Sequence, residues 1–299
     1  MHASKSDASA RSRWSSFHTG GKQQPDDKKF EINLKILSIA FYLVSDSTRL
    51  VRRSMLELLQ FKSSFSNTSK MPQLNILTAI CLWLAVTTGG CLLALPIDRA
   101  CSIAVSMLFF NNLNILIALC ELILGFRIML IKKDFKKLKE QYKGREKDGA
   151  LAFLFLPLPN VFDSAKWSKM WSTYSLYDPS YQNHESFGFF IDFGNGMSTI
   201  PPCLLWNYAM AYPERVSPVL VGCVGIASYW QVLYGTIIYL FSYCFNRRYV
   251  GRPMVEVLSF VGFSNSLWFF FPIIGIYASV CILRDGNFSV FRSKNMAFQ

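Results

Sequence analysis

The chain has 299 residues, of which 52% are hydrophobic and 17% are charged, and its formal net charge is +12. Soluble domains carry about 25% charged residues, so this composition argues against an ordinary soluble domain and predicts an integral membrane protein. The positive charge lies in loops beside apolar runs, without a nucleic-acid-binding motif, so we expect it to face a lipid bilayer and not a nucleic acid.

The cysteines and histidines predict neither a disulfide framework nor a metal site. The eight cysteines lie within or at the ends of apolar segments, and none belongs to a CxxC pair. The three histidines, His2, His18 and His184, lie outside the apolar spans. We therefore expect buried apolar cysteines, no bound metal and no cofactor.

The N-terminal quarter of the chain is predicted to lie outside the bilayer core. Residues 1–30 are basic and polar, and their lack of periodicity predicts disorder. Residues 31–73 contain apolar positions at helical spacing, interrupted by charges, and then a linker. The uninterrupted apolar run is shorter than the roughly 20 residues that a span requires, which leaves two possibilities open: an amphipathic helix on the membrane surface, or a helix packed on the bundle.

Residues 74–285 predict an all-α bundle of about five transmembrane helices, followed by a C-terminal tail, 286–299. Apolar stretches of sufficient length occur at about 74–95, 102–131, 187–212, 216–244 and 255–283. A long lysine-rich hydrophilic connection separates the second span from the third, and three arginines separate the fourth from the fifth. The positive-inside rule places these loops and the N-terminus in the cytoplasm and the C-terminus on the opposite side.

Polar residues inside the predicted spans indicate an intramembrane site. A charged group at the centre of a membrane helix raises the free energy of insertion by roughly 2.5–3.5 kcal/mol, so such a group indicates a functional or structural role. Pairs on single helix faces are Asn114 and Glu121, Asp192 and Asn195, Gln231 and Tyr234, and Asn265 and Trp268. Interhelical hydrogen bonding explains Asn111 taken alone, whereas two carboxyls with Asn and Trp on separate helices favour a shared pocket.

The contents of this pocket are compatible with two kinds of activity. A carboxyl in an apolar pocket favours its neutral form and can donate a proton near neutral pH. An indole face can stabilise a cation. Such groups suit proton transfer on a flat hydrophobic substrate such as a sterol, and equally suit binding of a cationic amphiphile without chemistry.

From about residue 171 onward, the chain contains several short strings of residues in a specific order. They are Trp171-Ser-Thr-Tyr174 with Tyr177-Asp178-Pro-Ser-Tyr181, Phe187 to Asp192 with Pro201, Leu233-Tyr234-Gly235 with Tyr239-Leu-Phe, and Phe263-Ser-Asn265-Ser-Leu-Trp268 with Phe271-Pro272. In these strings the chain resembles the emopamil-binding protein family, or EXPERA domain, which includes sterol Δ8–Δ7 isomerases and the sigma-2 receptor. The resemblance extends loosely back to about residue 101.

The resemblance implies roles for particular residues. It implies that Glu121, Asp192, Asn265 and Trp268 form the catalytic group, and that the loop residue Tyr181 closes toward the pocket. Asn114, Asn195, Gln231 and Tyr234 complete the predicted ligand-binding set from the polar pattern of the spans. Ile117 stands where the family carries a histidine one helical turn before the glutamate, Asp192 stands in place of a glutamate, and Asn195 in place of a hydroxyl.

The sequence therefore predicts an EXPERA-type membrane protein that binds a sterol-like or amphipathic lipid, with sterol (cholestenol) delta-isomerase activity as one hypothesis. A noncatalytic lipid or cationic-ligand binder is the alternative, as is a structural subunit of a larger membrane complex or a homodimer. The resemblance favours the endoplasmic reticulum, while the Ser- and Arg-rich N-terminus leaves a mitochondrial or plastid membrane open.

Overall fold

The computed structural model describes residues 74–96 and 100–292, and in these ranges the regular structure is helical, without strands. The predictions for residues 1–30, and for the amphipathic helix and linker in residues 31–73, lie outside the described residues. The helices are α1 (Ile76–Ala94), α2 (Ser102–Phe126), α3 (Ile128–Gln141), α4 (Glu146–Leu154), α5 (Ser164–Trp167), α6 (Lys169–Tyr174), α7 (Phe187–Ser198), α8 (Ile200–Ala211), α9 (Pro218–Phe245), α10 (Met254–Val257) and α11 (Ser264–Asp285).

Within the described residues, four helical segments are long and apolar enough to cross a membrane. They are α1, α2, α9 and the continuous segment Met254–Asp285. In the last of these, one π-helical stretch, Leu258–Phe263, joins α10 to α11. These segments match the first, second, fourth and fifth predicted spans, so the prediction of an all-α membrane bundle is confirmed and the protein is a helical integral membrane protein.

The third predicted span is divided into α7 and α8, each of 12 residues. The division falls at Thr199, two residues before the pair Pro201 and Pro202. Neither proline has a backbone N–H, so the helical hydrogen bonds to the carbonyls of residues 197 and 198 cannot form. These missing bonds account for the interruption of the helix.

Glycines allow the backbones of α2 and α7 to touch. A Cβ atom added at Gly196 would lie 2.8 Å from the backbone nitrogen of Leu122 and 2.9 Å from Cβ of Glu121. One added at Gly125 would overlap the ring of Phe193. Because residue 125 meets 193 while residue 121 meets 196, the two helices are antiparallel, and close packing through small residues holds them together.

The helices α9 and α11 pack against each other in the same way. Gly222 lies against Leu283, Gly225 against Ser279, and Gly275 against the ring of Tyr229. These pairs make α9 and α11 antiparallel. Phe110 stacks on Phe271 and Trp268 bonds to Asn114, so α11 is also antiparallel to α2. The end of α2, the start of α7, the end of α9 and the start of α10 consequently share one end of the bundle. We call this the basic end, because α3 and the arginines between α9 and α10 belong to it.

The long hydrophilic connection folds back onto the basic end as α3 to α6 and a short 3-10 helix, Pro179–Gln182. Trp171, Tyr177 and Tyr181 from this connection are buried in one cluster with Tyr239 and Tyr243 of α9. The connection thus supplies part of the hydrophobic core. Its aromatic residues reach the space between the membrane helices.

Candidate functional site

A cavity of about 200 Å³ lies between α2, α6, α7, α9 and α11. Six of the residues that the sequence nominated line it: Glu121, Tyr181, Asp192, Asn195, Asn265 and Trp268. The structure therefore brings together the polar residues of α2, α7 and α11, as a shared pocket requires.

Glu121 and Asp192 are the two carboxyls of the cavity. Glu121 is only 6% exposed, and the backbone contact at Gly196 holds it beside α7. Tyr181 and Asp192 line the same cavity. Among the described residues, no lysine or arginine forms an ion pair with either carboxyl. The cavity thus holds two carboxyls without a counter-cation, a combination suited to a cationic ligand or to proton transfer.

Trp268 has a fixed orientation at the cavity wall. Its Nε1–H donates a hydrogen bond of 2.7 Å to Oδ1 of Asn114. The ring of Phe110 meets the indole edge-on at 6.4 Å. Asn114 itself is buried outside the cavity, so its place in the site is to orient Trp268.

Asn265 connects the cavity to a chain of tyrosines. Its Nδ2 donates to the hydroxyl of Tyr174 at 3.3 Å and to the carbonyl of Val261 at 2.7 Å. The hydroxyls of Tyr174 and Tyr239 are 3.2 Å apart. Burial raises the pKa of Tyr174 above its ordinary value, so its hydroxyl keeps its proton near neutral pH.

The tyrosine chain ends on a fully buried carboxylate, Asp178. Its Oδ2 accepts hydrogen bonds from the hydroxyl of Tyr239 at 2.8 Å and from Arg248 at 3.2 Å, and its Oδ1 accepts one from the backbone N–H of Ser180 at 3.0 Å. These bonds satisfy the carboxylate and tie the connection to α9. They also hold the aromatic wall of the cavity in position.

Gln231 and Tyr234, the two residues of α9 that were predicted to bind a ligand, lie away from the cavity centre. Gln231 donates to Oδ1 of Asn195 at 3.0 Å and to Oγ of Ser198 at 2.8 Å, so it positions Asn195. Tyr234 is 49% exposed on the outer face of α9, next to Trp230. The cavity-lining residues of α9 are Gly235, Thr236 and Tyr239.

Sequence reasoning nominated no residue of α6, although Met170, Trp171 and Tyr174 line the cavity. Trp171 stacks on Tyr181 with 5.2 Å between ring centroids, and its Nε1–H donates to the carbonyl of Cys120 at 2.7 Å. The available signal was the spacing of Trp171 and Tyr174 in the strings that carry the resemblance. Ile117 also lines the cavity, one turn before Glu121.

Comparisons of the chain with models of protein families, with curated proteins and with solved structures found no match.

Proposed function

We propose that this chain is an EXPERA-type membrane protein that binds a sterol-like or amphipathic lipid in the cavity between α2, α6, α7, α9 and α11. The observation that carries the proposal is that Glu121 and Asp192, which have no ion-pair partner among the described residues, line one cavity with the aromatic rings of Trp171, Tyr181 and Trp268. The strings that resemble the EXPERA family lie in the same elements. That resemblance also supports the endoplasmic reticulum as the membrane.

The size of the cavity favours an elongated ligand. A volume of about 200 Å³ is below the roughly 300–1,000 Å³ of typical ligand pockets. Only one end of a lipid fits in this space, and the rest then extends between helices into the bilayer. We expect the polar or cationic end to meet the carboxyls, because it compensates their charge there.

Sterol Δ8–Δ7 isomerisation is the second candidate, and the pair of carboxyls supports it. In that reaction one carboxyl adds a proton to the ring double bond, and the other removes a proton from a neighbouring carbon. Trp268 would face the transient carbocation, and Asn265 would orient a carboxyl. Ile117 in the cavity wall supports binding without catalysis, because an aliphatic side chain cannot transfer a proton.

Binding is tested with Asp192→Ala and Trp268→Ala in the purified full-length protein, with a radiolabelled cationic amphiphile as the probe. We expect each variant to lose affinity by at least about tenfold, the effect of about 1.4 kcal/mol. Tyr234→Ala is the matched control, because this ring lies on the outer face of α9. The pocket proposal fails if folded, monodisperse Asp192→Ala and Trp268→Ala proteins bind the probe as the wild type does, or if both variants only aggregate.

Catalysis is tested separately, by expression in cells that lack sterol Δ8–Δ7 isomerase and measurement of their sterols. Appearance of the Δ7 product, and its loss with Glu121→Gln, would establish the isomerase. Absence of the product while the purified protein binds the amphiphile would leave the noncatalytic binder.

A further inference from the structure

The lysines of α3 form a row along one side of the helix. Lys132, Lys136 and Lys139 are separated by four and three residues, so they lie on one face, and Lys143 extends the row just beyond the helix end. Lys136, Lys139 and Lys143 are exposed, and Lys132 is partly exposed. We call these four residues the lysine row.

An apolar stripe lies about 100° around α3 from the lysine row and fixes the direction in which the row points. Ile131 and Phe135 are buried, and Leu138 packs partly against the same core cluster as Trp171 of α6. Because this stripe is held in the core, the lysine row lies on the flank of α3 beside it, where three of its four lysines are exposed. The ammonium group of Lys139 lies 6.0 Å from the ring centroid of Phe135.

The charge of the lysine row is not neutralised within the described part of the chain. None of its four ammonium groups forms an ion pair or a hydrogen bond there. On α3 itself, Asp134 forms an ion pair with Lys169 at 3.0 Å. Nearby, Glu146 forms an ion pair with Arg252 at 2.5 Å. Glu140 of α3 is exposed and lies one turn after Lys136, but it forms no ion pair with the row in the described residues. The row therefore presents four positive charges on one surface, against the single negative charge of Glu140.

From the length of α2, we expect the start of α3 to lie at the level of the lipid headgroups. With 25 residues, α2 is about 37 Å long, more than the roughly 30 Å of a bilayer's hydrocarbon core. Only Arg127 separates the end of α2 from the start of α3. At the opposite end of the bundle, Arg215 and Arg284 each face an adjacent acid, at 3.9 Å and 2.7 Å. Uncompensated positive charge is thus concentrated at the basic end.

We propose that the lysine row binds the phosphate-bearing headgroups of anionic phospholipids. Lysines clustered directly after a membrane span, on an exposed flank, match this partner in charge and in position. Each lysine near an anionic surface contributes about fivefold in affinity, equivalent to about 1 kcal/mol. The row is separate from the cavity, so this inference does not depend on the proposed ligand.

The test measures lipid binding to the full-length protein in detergent by native mass spectrometry, with phosphatidylserine and phosphatidylcholine titrated in parallel. We expect phosphatidylserine to bind more tightly, and the double variant Lys136→Gln with Lys139→Gln to weaken it by about 25-fold. The matched control is Arg215→Gln with Arg284→Gln, which removes two charges at the opposite end. It should bind phosphatidylserine as the wild type does.

Three outcomes of the lipid titrations would overturn the inference. They are equal binding of the two lipids by the wild type, unchanged phosphatidylserine binding by the lysine variant, or an equal loss in the arginine control. Tighter binding of a short RNA than of phosphatidylserine would also overturn it, and would assign the row to nucleic acid. Because Lys136 and Lys139 are exposed, an unchanged melting temperature should confirm that the lysine variant is folded.

Discussion

The amide of Asn111 shows how a single polar side chain joins three helices of this bundle. Its Nδ2 donates to Oδ1 of Asn207 on α8 at 3.0 Å, and its Oδ1 accepts from the hydroxyl of Tyr229 on α9 at 2.9 Å. Asn111 is fully buried on α2. Because hydrocarbon offers no substitute partner, each of these groups depends on the others for its hydrogen bond.

We predict that Asn111→Leu lowers the free energy of unfolding by about 1–3 kcal/mol, because Asn207 and Tyr229 each lose a buried partner. The measurement is thermal or denaturant unfolding of the purified protein. The double variant Asn111→Leu with Tyr229→Phe should recover part of the loss, since the unpaired hydroxyl is then absent.

Asn246→Leu is the control for this change. Asn246 is exposed, and its Nδ2 bonds only within its own helical turn, to Ser242 at 2.8 Å and 3.3 Å. Its replacement should change stability by no more than about 0.5 kcal/mol. Equal effects of the two variants would contradict a structural role for the buried amide.

The sequence predicted the role of one buried asparagine of α2 correctly and did not predict the role of another. The hypothesis that Asn111 is an interhelical tie is confirmed by its hydrogen bond to Asn207. Asn114, three residues later, was nominated to bind a ligand, yet its Oδ1 is engaged by Trp268 at 2.7 Å. Both are buried asparagines on α2, and only the neighbouring helices decide which partner each one meets.

Two glycines of α7 differ in their surroundings although only one residue separates them. Gly196 touches α2 through the backbone of Leu122, whereas a Cβ atom at Gly194 would meet nothing within 4 Å. The contact at Gly196 sets the spacing between α2 and α7, and with it the positions of Glu121 and Asp192 in the cavity.

We predict that Gly196→Ala forces α2 and α7 apart, destabilises the protein by about 1–3 kcal/mol and weakens ligand binding. Gly194→Ala should keep binding and should match or exceed the wild type in stability, because alanine is the better helix former by about 1 kcal/mol. Unfolding and ligand-binding measurements on the two variants provide the comparison. Unchanged binding in Gly196→Ala would show that this contact does not position the site.

At the scale of whole elements, hydrophobic length was the reliable signal. It located α1, α2, α9 and the segment Met254–Asp285, since a stretch of about 20 apolar residues has few alternatives. It did not reveal α5 and α6, of 4 and 6 residues, because so few residues carry no measurable periodicity. The position of Trp171 of α6 in the cavity wall was therefore not predicted from the sequence.

The distribution of charge predicts the orientation of the whole bundle. The basic end contains α3 and Arg247, while the described part of the opposite end has few cations. The hydrogen bond from Trp268 to Asn114, together with the stacking of Phe271 on Phe110, makes α11 antiparallel to α2, so α11 ends at the opposite side from α3. The positive-inside rule then places α3 in the cytoplasm.

We predict that Lys143→Cys reacts with a membrane-impermeant maleimide in sealed vesicles whose cytoplasmic face is outside. Asn287→Cys should react only after permeabilisation. Both positions are exposed, so burial would not hide either thiol. The wild-type protein serves as the control for its eight natural cysteines. The opposite pattern of labelling would reverse the assigned orientation.

The shared pocket was predictable at the scale of the molecule because helical spacing already grouped its residues. Asp192 and Asn195 share one face of α7, as do Asn265 and Trp268 on α11, and all four line the cavity. The same spacing misplaced Tyr234, because a polar stripe does not specify which side of α9 faces the neighbours.

The π-helical stretch Leu258–Phe263 sets which residues of the last membrane segment face the cavity. A π-helical turn contains about one residue more than an α-helical turn, so it absorbs one residue without turning the helix that follows. If the same six residues were α-helical, Asn265 and Trp268 would be turned by about 100° around the helix axis, away from the cavity. Loss of one codon within the stretch would instead convert it into an ordinary α-helical turn and leave both side chains facing the cavity. This part of the gene should therefore tolerate in evolution a one-residue deletion that would turn the site residues of a regular α-helix away from the cavity.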